Sequence, residues 1–226
     1  MFEAAFGLHE QIPKSPMNTL KARFLGALFI LPMLFFGLGS ALIDPALQGI
    51  NSTGSALNSQ LGALLVIANS ITVIGIGLAL LPILMRHSST AAMSYLIARA
   101  TEGILLIVGL VATLAFATIN DYSQLDPETH YEIGSFVTQL NHSSFQISMI
   151  SLGLGSIPML FILHTTKLVS RLWTIWGAFG YSLLVLGSVA ELLGFEYGVA
   201  FSLPGGLFEL CFGTWLILIN PNFSEA

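Results

Sequence analysis

Residues 61–85 read LGALLVIANSITVIGIGLALLPILM, and this stretch decides the class of fold. It contains no charged side chain, and its polar side chains are Asn69, Ser70 and Thr72. The run is about 25 residues long, whereas an α-helix needs about 20 apolar residues to cross a bilayer. It is too continuous for a barrel strand, in which apolar and polar residues alternate over about 10 positions. The stretch therefore predicts a transmembrane helix.

The same apolar character extends over the whole chain of 226 residues. Hydrophobic types make up 54% of it and charged types 8%, whereas a soluble globular domain carries about 25% charged residues. Seven Lys and Arg with twelve Asp and Glu cannot cover the surface of a soluble domain of this size. We therefore exclude a soluble enzyme, a disordered chain and a nucleic-acid-binding protein, and we expect the lipid bilayer as the main partner.

Five further apolar runs predict an all-α integral membrane bundle of six transmembrane helices. The expected spans are residues 24–43, 61–85, 91–119, 141–164, 172–194 and 199–219. Asp44-Pro45 is expected to end the first span, with a loop through Gln60, and residues 120–140 form a second polar loop. The chain is thus divided into an N-terminal segment (1–23), a transmembrane domain (24–220) and a C-terminal tail (221–226).

The basic residues outside the spans indicate the orientation. All six lie before the first span or in the loops after the second and the fourth: Lys14, Lys21, Arg23, Arg86, Lys167 and Arg171. The positive-inside rule therefore predicts that both termini are cytoplasmic. The first apolar run is longer than the 7–15-residue core of a signal peptide, so we expect it to remain as a span.

Four charged residues fall inside the predicted spans, where charges normally face the protein interior or a water-filled cavity. Arg99 and Glu102 are three residues apart and share one helix face. Arg99 lies about 14 Å, and Glu209 about 16 Å, from the cytoplasmic end of its span at 1.5 Å per residue. Glu209 also has a glycine one turn away on each side, which favours close helix packing. We expect Arg99 to pair with Glu102, Glu209 or both, while Glu191 lies toward the outer end of the fifth span.

Uncharged polar residues in the outer halves of two spans form a second candidate set. Asn69 lies in the second span, and His142 and Gln146 are four residues apart in the fourth, which is rich in serine. Hydrogen bonds between helices are one interpretation, and the wall of a small polar cavity is the other. We expect all three side chains to face the bundle interior, because an unpaired amide in hydrocarbon costs several kcal/mol.

The sequence gives no sign of a cofactor, a metal site or a catalytic residue. No two histidines lie well inside spans at equal depth, as two axial haem ligands require. His130 and the acidic residues near it show no spacing typical of metal ligands. The sequence also lacks a phosphate-binding loop, a dinucleotide fingerprint and the common hydrolase motifs. We therefore expect no haem, metal or other cofactor.

Several stretches resemble those of one family. Residues 98–109 read ARATEGILLIVG, in which an Arg and a Glu three apart introduce a run of Leu, Val and Gly. RLW at 171–173, AEL at 190–192, PGGLFEL at 204–210 and GTWLI at 213–217 follow in order. This order resembles that of a bacterial multi-pass membrane family catalogued as domain of unknown function 4386. The span that begins at residue 141 is similar to that family's histidine-led fourth span, with more serines.

The resemblance implies a six-helix protein of the bacterial plasma membrane. It places the four intramembrane charges in a shared pattern but assigns them no role. The leading hypothesis is a non-enzymatic transporter-like or binding bundle, which would hold a cavity for a small molecule or protons that reaches Glu102 or Glu209. A structural subunit or assembly factor with a membrane protein partner would lack that cavity. An intramembrane enzyme acting on lipid or quinone would have His142 within reach of a carboxylate.

Overall fold

The computed structural model describes residues 19–47, 55–122, 126–195 and 198–219, which form six α-helices. They are α1 (Thr19–Leu47), α2 (Ser55–Leu84), α3 (Ser89–Tyr122), α4 (Pro127–Thr165), α5 (Arg171–Leu192) and α6 (Gly198–Ile219). All six are long and apolar enough to cross a membrane. The prediction of an all-α, multi-pass bundle is confirmed. Residues 1–18 of the predicted N-terminal segment and the whole predicted C-terminal tail lie outside the described residues.

The six helices pack in sequence order and close into a ring. Each helix contacts the next along the chain, and α6 returns to pack against α1. Gly39 near the end of α1 lies against Gly62 near the start of α2, and Gly26 near the start of α1 lies against Gly213 near the end of α6. Neighbouring helices are therefore antiparallel. We call the end of the bundle where α1, α3 and α5 begin the base, and the opposite end the top.

Two helix ends near the top differ from the prediction. α1 continues through Asp44-Pro45 to Leu47, and α2 already begins at Ser55, within the expected loop. The expectation that Asp44-Pro45 ends the first helix was wrong, because proline disfavours the helical conformation of the preceding residue without forbidding it. α2 begins earlier than predicted, because polar residues at the start of a helix do not by themselves prevent it from forming.

The largest departure is at the start of α4, which begins at Pro127, inside the predicted loop 120–140. Asp126 caps this helix by accepting the Thr129 N–H at 3.0 Å. This hydrogen bond lowers the pKa of the Asp126 carboxyl. Proline at the first helical position suits a helix start, since its missing N–H would have had no partner there. α4 has 39 residues, so at 1.5 Å per residue it is about 58 Å long and exceeds the bilayer core.

Aromatic rings fill the space between α5 and α6 near the base. Trp173 and Trp176 are stacked with ring centroids 5.8 Å apart, and both contact the ring of the buried Phe208. The indole N–H of Trp176 donates to the Pro204 carbonyl oxygen at 3.2 Å. Packing and hydrogen bonding therefore hold the α5–α6 pair together below the centre of the bundle.

Candidate functional site

Arg99 lies at the centre of the bundle, where only 1% of it is exposed, and each of its three guanidinium nitrogens is hydrogen-bonded. Nη1 donates to Glu102 Oε2 at 3.0 Å, and Nη2 donates to Glu209 Oε1 at 2.6 Å. Nε donates to the hydroxyl oxygen of Tyr95 at 2.9 Å. The structure therefore pairs Arg99 with both of the carboxylates that the sequence indicated.

Two of these partners, Tyr95 and Glu102, lie on the same helix as Arg99. The third, Glu209, is brought near by the packing of the six helices. Tyr95 is four residues before Arg99 and Glu102 three residues after it, so all three lie on one face of α3. Glu209 comes from α6, and Phe29 of α1 places its ring centroid 5.8 Å from the guanidinium carbon. The cluster therefore connects α3 with α6 and α1 across the interior of the ring.

A second tyrosine completes the cluster from α5. The Tyr181 hydroxyl donates to Glu209 Oε1 at 2.7 Å, and Tyr181 itself is only 1% exposed. Sequence reasoning missed both tyrosines. The signal for Tyr95 was available, since it lies one turn from Arg99 on the same helix. No such signal exists for Tyr181, because its partner lies on a different helix.

Glycines bring the neighbouring helices close on both sides of Glu209. Gly205 packs against Gly180 of α5, and Gly213 packs against Gly26 of α1. A Cβ atom at Gly213 would lie 2.8 Å from the Gly26 carbonyl oxygen. The predicted close packing around Glu209 is confirmed, and on the α5 side it brings Glu209 within reach of Tyr181.

A cavity of about 310 Å³ lies on the top side of the ion pairs and is lined by all six helices. Its polar lining includes Glu102, Glu209 and Asn69, and most of the remaining wall is apolar. Small-molecule sites are typically clefts or cavities of about 300–1,000 Å³ with apolar walls and a few placed polar groups. The size and lining of this cavity fall within that range.

Three polar groups of this lining have no protein partner in the part of the chain that the structure describes. Asn69 is only 2% exposed, yet no described residue hydrogen-bonds its amide. Glu102 uses Oε2 and Glu209 uses Oε1 for their bonds, so Glu102 Oε1 and Glu209 Oε2 have no described donor. Buried polar groups are normally hydrogen-bonded. The cavity therefore presents acceptors and an amide that a bound molecule can satisfy.

The other predicted residues do not line this cavity. Gln146 is buried, as Asn69 is, and thus both lie in the interior as predicted, whereas the His142 side chain is 38% exposed. The three do not form one wall, because Asn69 lines the cavity whereas neither Gln146 nor His142 does. The serines of α4 make hydrogen bonds of two kinds. The Ser148 hydroxyl donates to the Phe145 carbonyl of its own helix at 2.7 Å, and the Ser151 hydroxyl donates to the Ala98 carbonyl of α3 at 3.5 Å.

Glu191 belongs to a separate contact near the top of the bundle. Its Oε2 lies 3.6 Å from His142 Nε2, and its Oε1 accepts the Gly198 N–H at 2.6 Å. This carboxylate therefore connects α4 and α5 to the start of α6. Within the described ranges, His, Cys, Asp and Glu side chains form no group of three or more that could hold a metal ion.

A smaller cavity of about 60 Å³ lies nearer the top, between α1, α2, α3 and α4. Asn141 and Thr113 line it and are joined by a 3.1 Å hydrogen bond from the Asn141 amide. The rings of Phe36 and Phe145 are stacked 5.3 Å apart and line both cavities. These two rings therefore lie between the smaller cavity and the larger one.

The ring of six apolar helices, with an Arg–Glu cluster and a cavity at its centre, defines a multi-pass membrane protein. The chain belongs to the family described as domain of unknown function 4386, whose sequence model matches residues 24–219. The match confirms the family resemblance and covers the whole lining of the central cavity. No significant match is found among curated proteins or among solved structures.

Proposed function

We propose that this protein is a non-enzymatic, transporter-like or binding bundle that holds a small molecule in its central cavity. The observation that carries the proposal is a set of polar groups in an apolar lining: the buried Glu102, the half-buried Glu209 and the unpartnered amide of the buried Asn69. Two carboxylates face one guanidinium, so the fully ionised cluster has a net charge of −1. A proton or a bound cation can neutralise this charge, which makes proton exchange part of the same proposed site.

We also propose that the protein lies in the bacterial plasma membrane with the base of the bundle in the cytoplasm. The support is the placement of the basic residues: Lys14, Lys21 and Arg23 lie before α1 or in its first turns, and Arg86, Lys167 and Arg171 follow α2 and α4. On this proposal residues 1–23 and 221–226 are cytoplasmic and residues 24–220 form the transmembrane domain. The central cavity then lies nearer the outer surface of the membrane than the ion pairs do.

The two other classes of function have weaker support. A structural subunit or assembly factor accounts for the ion pairs, but it gives no reason for a cavity lined by polar groups without protein partners. For an intramembrane enzyme, His142 does lie near a carboxylate, Glu191. However, neither residue lines the central cavity or the smaller one.

Co-purification tests the proposal. Wild-type protein and a Gly206→Phe variant are extracted with their surrounding lipids and analysed by native mass spectrometry. Gly206 lines the cavity, and a Cβ atom there meets only the flexible end of Met33 at 3.7 Å, so the phenyl ring enters the cavity without striking backbone. We expect a bound molecule of defined mass, one per chain, on the wild type and not on the variant.

Glu191→Gln is the matched control, because it changes an intramembrane carboxylate that does not line the cavity. It should keep the bound molecule. Asn69→Leu provides a second cavity variant with unchanged ion pairs and should lose the molecule as well. Identical spectra for the wild type and both cavity variants would remove the binding proposal and favour a structural subunit.

A further inference from the structure

We infer that the central cavity opens sideways to the bilayer between α1 and α6, and that its ligand is a membrane-dissolved amphiphile with a cationic ammonium head. The inference rests on the proposed binding function and adds to it a route of entry and a chemical class. The route follows from the way α1 and α6 separate. The class follows from the charge and the unpartnered groups of the cavity.

The gap between α1 and α6 widens from the base to the top. At the base the two helices touch through Gly26 and Gly213, where a Cβ atom on Gly213 would lie 2.8 Å from the Gly26 carbonyl oxygen. Two turns higher, a Cβ atom on Gly206 has only the Met33 side chain within 4 Å, at 3.7 Å. One turn higher still along α1, a Cβ atom on Gly37 meets nothing within 4 Å.

The residues on the edges of this gap line the cavity and are also accessible from outside the bundle. Met33 is 40% exposed and Gly37 is exposed, and both line the cavity from α1. Ser202 and Gly206, both half-buried, line it from α6. Because the outer surface of a transmembrane helix faces lipid, this opening leads into the bilayer. Met33 is unbranched and flexible, so it can move aside as a molecule passes.

Other exits from the cavity are filled by packed side chains. Toward the top, the stacked rings of Phe36 and Phe145 lie between this cavity and the smaller one. Toward the base, Arg99, Phe29 and Leu216 are each no more than 1% exposed. A lateral route between α1 and α6 is therefore more open than a route along the axis of the bundle.

The charge of the cluster determines the sign of the charge on the ligand. Glu102 Oε1 and Glu209 Oε2 have no donor in the described part of the chain, and Arg99 compensates only one of the two carboxylates. A separate observation points the same way: Asn69 is 2% exposed, lines the cavity and is bonded to no described residue. An ammonium group supplies one positive charge and three donors. An anionic ligand would add to the uncompensated negative charge.

The apolar wall determines the rest of the ligand. Side chains such as Phe145, Met149 and Leu152 surround the space above the carboxylates. A cavity of about 310 Å³ lies at the small end of the range for small-molecule sites, about 300–1,000 Å³. It therefore accommodates the head and the first part of an alkyl chain, with the remainder extending past Met33 into the bilayer.

Three probes of equal chain length test the class: decylamine, decanol and decanoic acid, each added to protein reconstituted in lipid nanodiscs. Native mass spectrometry measures occupancy, and the melting temperature provides a second readout. We expect one decylamine per chain, bound at least about tenfold more tightly than decanoate, with decanol between them. Glu209→Gln should weaken decylamine binding about tenfold, whereas Glu191→Gln should leave it unchanged. Asn69→Leu tests the same site with the ion pairs intact, in case Glu209→Gln fails to fold.

A pair of tryptophan variants tests the route. Gly37→Trp places a large ring in the gap, where a Cβ atom meets nothing. Leu38→Trp places the same ring on the next residue, which is 58% exposed and does not line the cavity. We expect decylamine to associate with Gly37→Trp at least about tenfold more slowly than with wild type. Leu38→Trp should behave as wild type.

The outcomes separate this inference from the proposed function. If the three probes bind alike while a native molecule is still lost from Gly206→Phe, the ammonium class is wrong and the binding function stands. Equal association rates for the two tryptophan variants would rule out the lateral route. If no probe binds and no molecule co-purifies, both the inference and the proposed function fail.

Discussion

Arg99 explains why two carboxylates lie inside the bundle. A guanidinium does not lose its proton in proteins, and an unpaired one at the centre of a bilayer costs at least about 2.5–3.5 kcal/mol. Glu102 satisfies part of this requirement from the same helix. Glu209 satisfies the rest from α6, at 2.6 Å. The long-range pair therefore joins α3 to α6, whereas the pair within α3 requires only residues three apart on one helix face.

Replacing Arg99 and Glu209 singly and together measures the strength of this pair. Arg99→Ala and Glu209→Ala should each lower the melting temperature, because the first leaves two carboxylates without their cation and the second leaves Arg99 Nη2 and the Tyr181 hydroxyl without their acceptor. The double variant should lose less than the sum, with a coupling free energy of about 0.5–3 kcal/mol. Thermal unfolding in detergent provides the measurement. Strictly additive losses would show that the contact does not stabilise the fold.

Tyr181 offers a milder test of the same cluster. Tyr181→Phe removes the hydroxyl that donates to Glu209 at 2.7 Å and leaves the ring in place. We expect a loss of about 1.5–3 kcal/mol in the free energy of unfolding, typical of a hydrogen bond to a charged group. Tyr131→Phe is the control, since Tyr131 is 77% exposed, and it should stay within about 0.5 kcal/mol of wild type. Equal effects of the two substitutions would argue against a structural role for the Tyr181 hydroxyl.

At the scale of the elements, glycine positions decide how closely the helices approach. The sequence predicted glycine-mediated packing near Glu209, and the structure shows it at Gly205 and Gly213. The partners, Gly180 and Gly26, could not be predicted. Helical periodicity specifies which residues of one helix share a face, but it carries no information about which residue of another helix meets that face.

A pair of alanine substitutions tests whether close approach matters. Gly213→Ala brings a methyl group to within 2.8 Å of the Gly26 carbonyl oxygen, so α1 and α6 must separate. Overpacking of this kind costs about 1–3 kcal/mol. Gly37→Ala is the control, because its Cβ meets no atom within 4 Å, and it should be neutral or stabilising by up to about 1 kcal/mol through helix propensity. Melting temperatures in the reverse order would contradict this packing.

At the start of α4, the polar composition of the sequence led to a wrong prediction although a local helix-start signal was present. Asp126, Pro127 and Glu128 form a typical helix start, with a capping residue, a proline at the first helical position and an acid in the first turn. The polar composition of residues 120–140 nevertheless predicted a loop. The composition indicates only where the apolar span begins, and a helix longer than the bilayer core can continue beyond it.

At the scale of the whole molecule, the orientation is a prediction that site-directed labelling can check. In a Cys211→Ala background, cysteines at Ser55 and Ser123 should react with an impermeant thiol reagent in intact cells. A cysteine at Ser89, which is exposed at the base of the bundle, should react only after the membrane is permeabilised. Labelling of the Ser89 position from outside would reverse the orientation and, with it, the side of the membrane toward which the cavity lies.

The sequence by itself determined the class, the number of spans and Glu102 and Glu209 as the candidate partners of Arg99. These follow from composition and from the free-energy cost of a charge in hydrocarbon, both of which act locally along the chain. Tertiary structure alone decided that the six helices close into a ring and that Tyr181 joins the cluster from α5. It also decided that Asn69 lines the central cavity while Gln146 and His142 do not. The physical reason is that a cavity is the space left where neighbouring helices do not touch. The position and size of that space depend on how all six helices pack against one another.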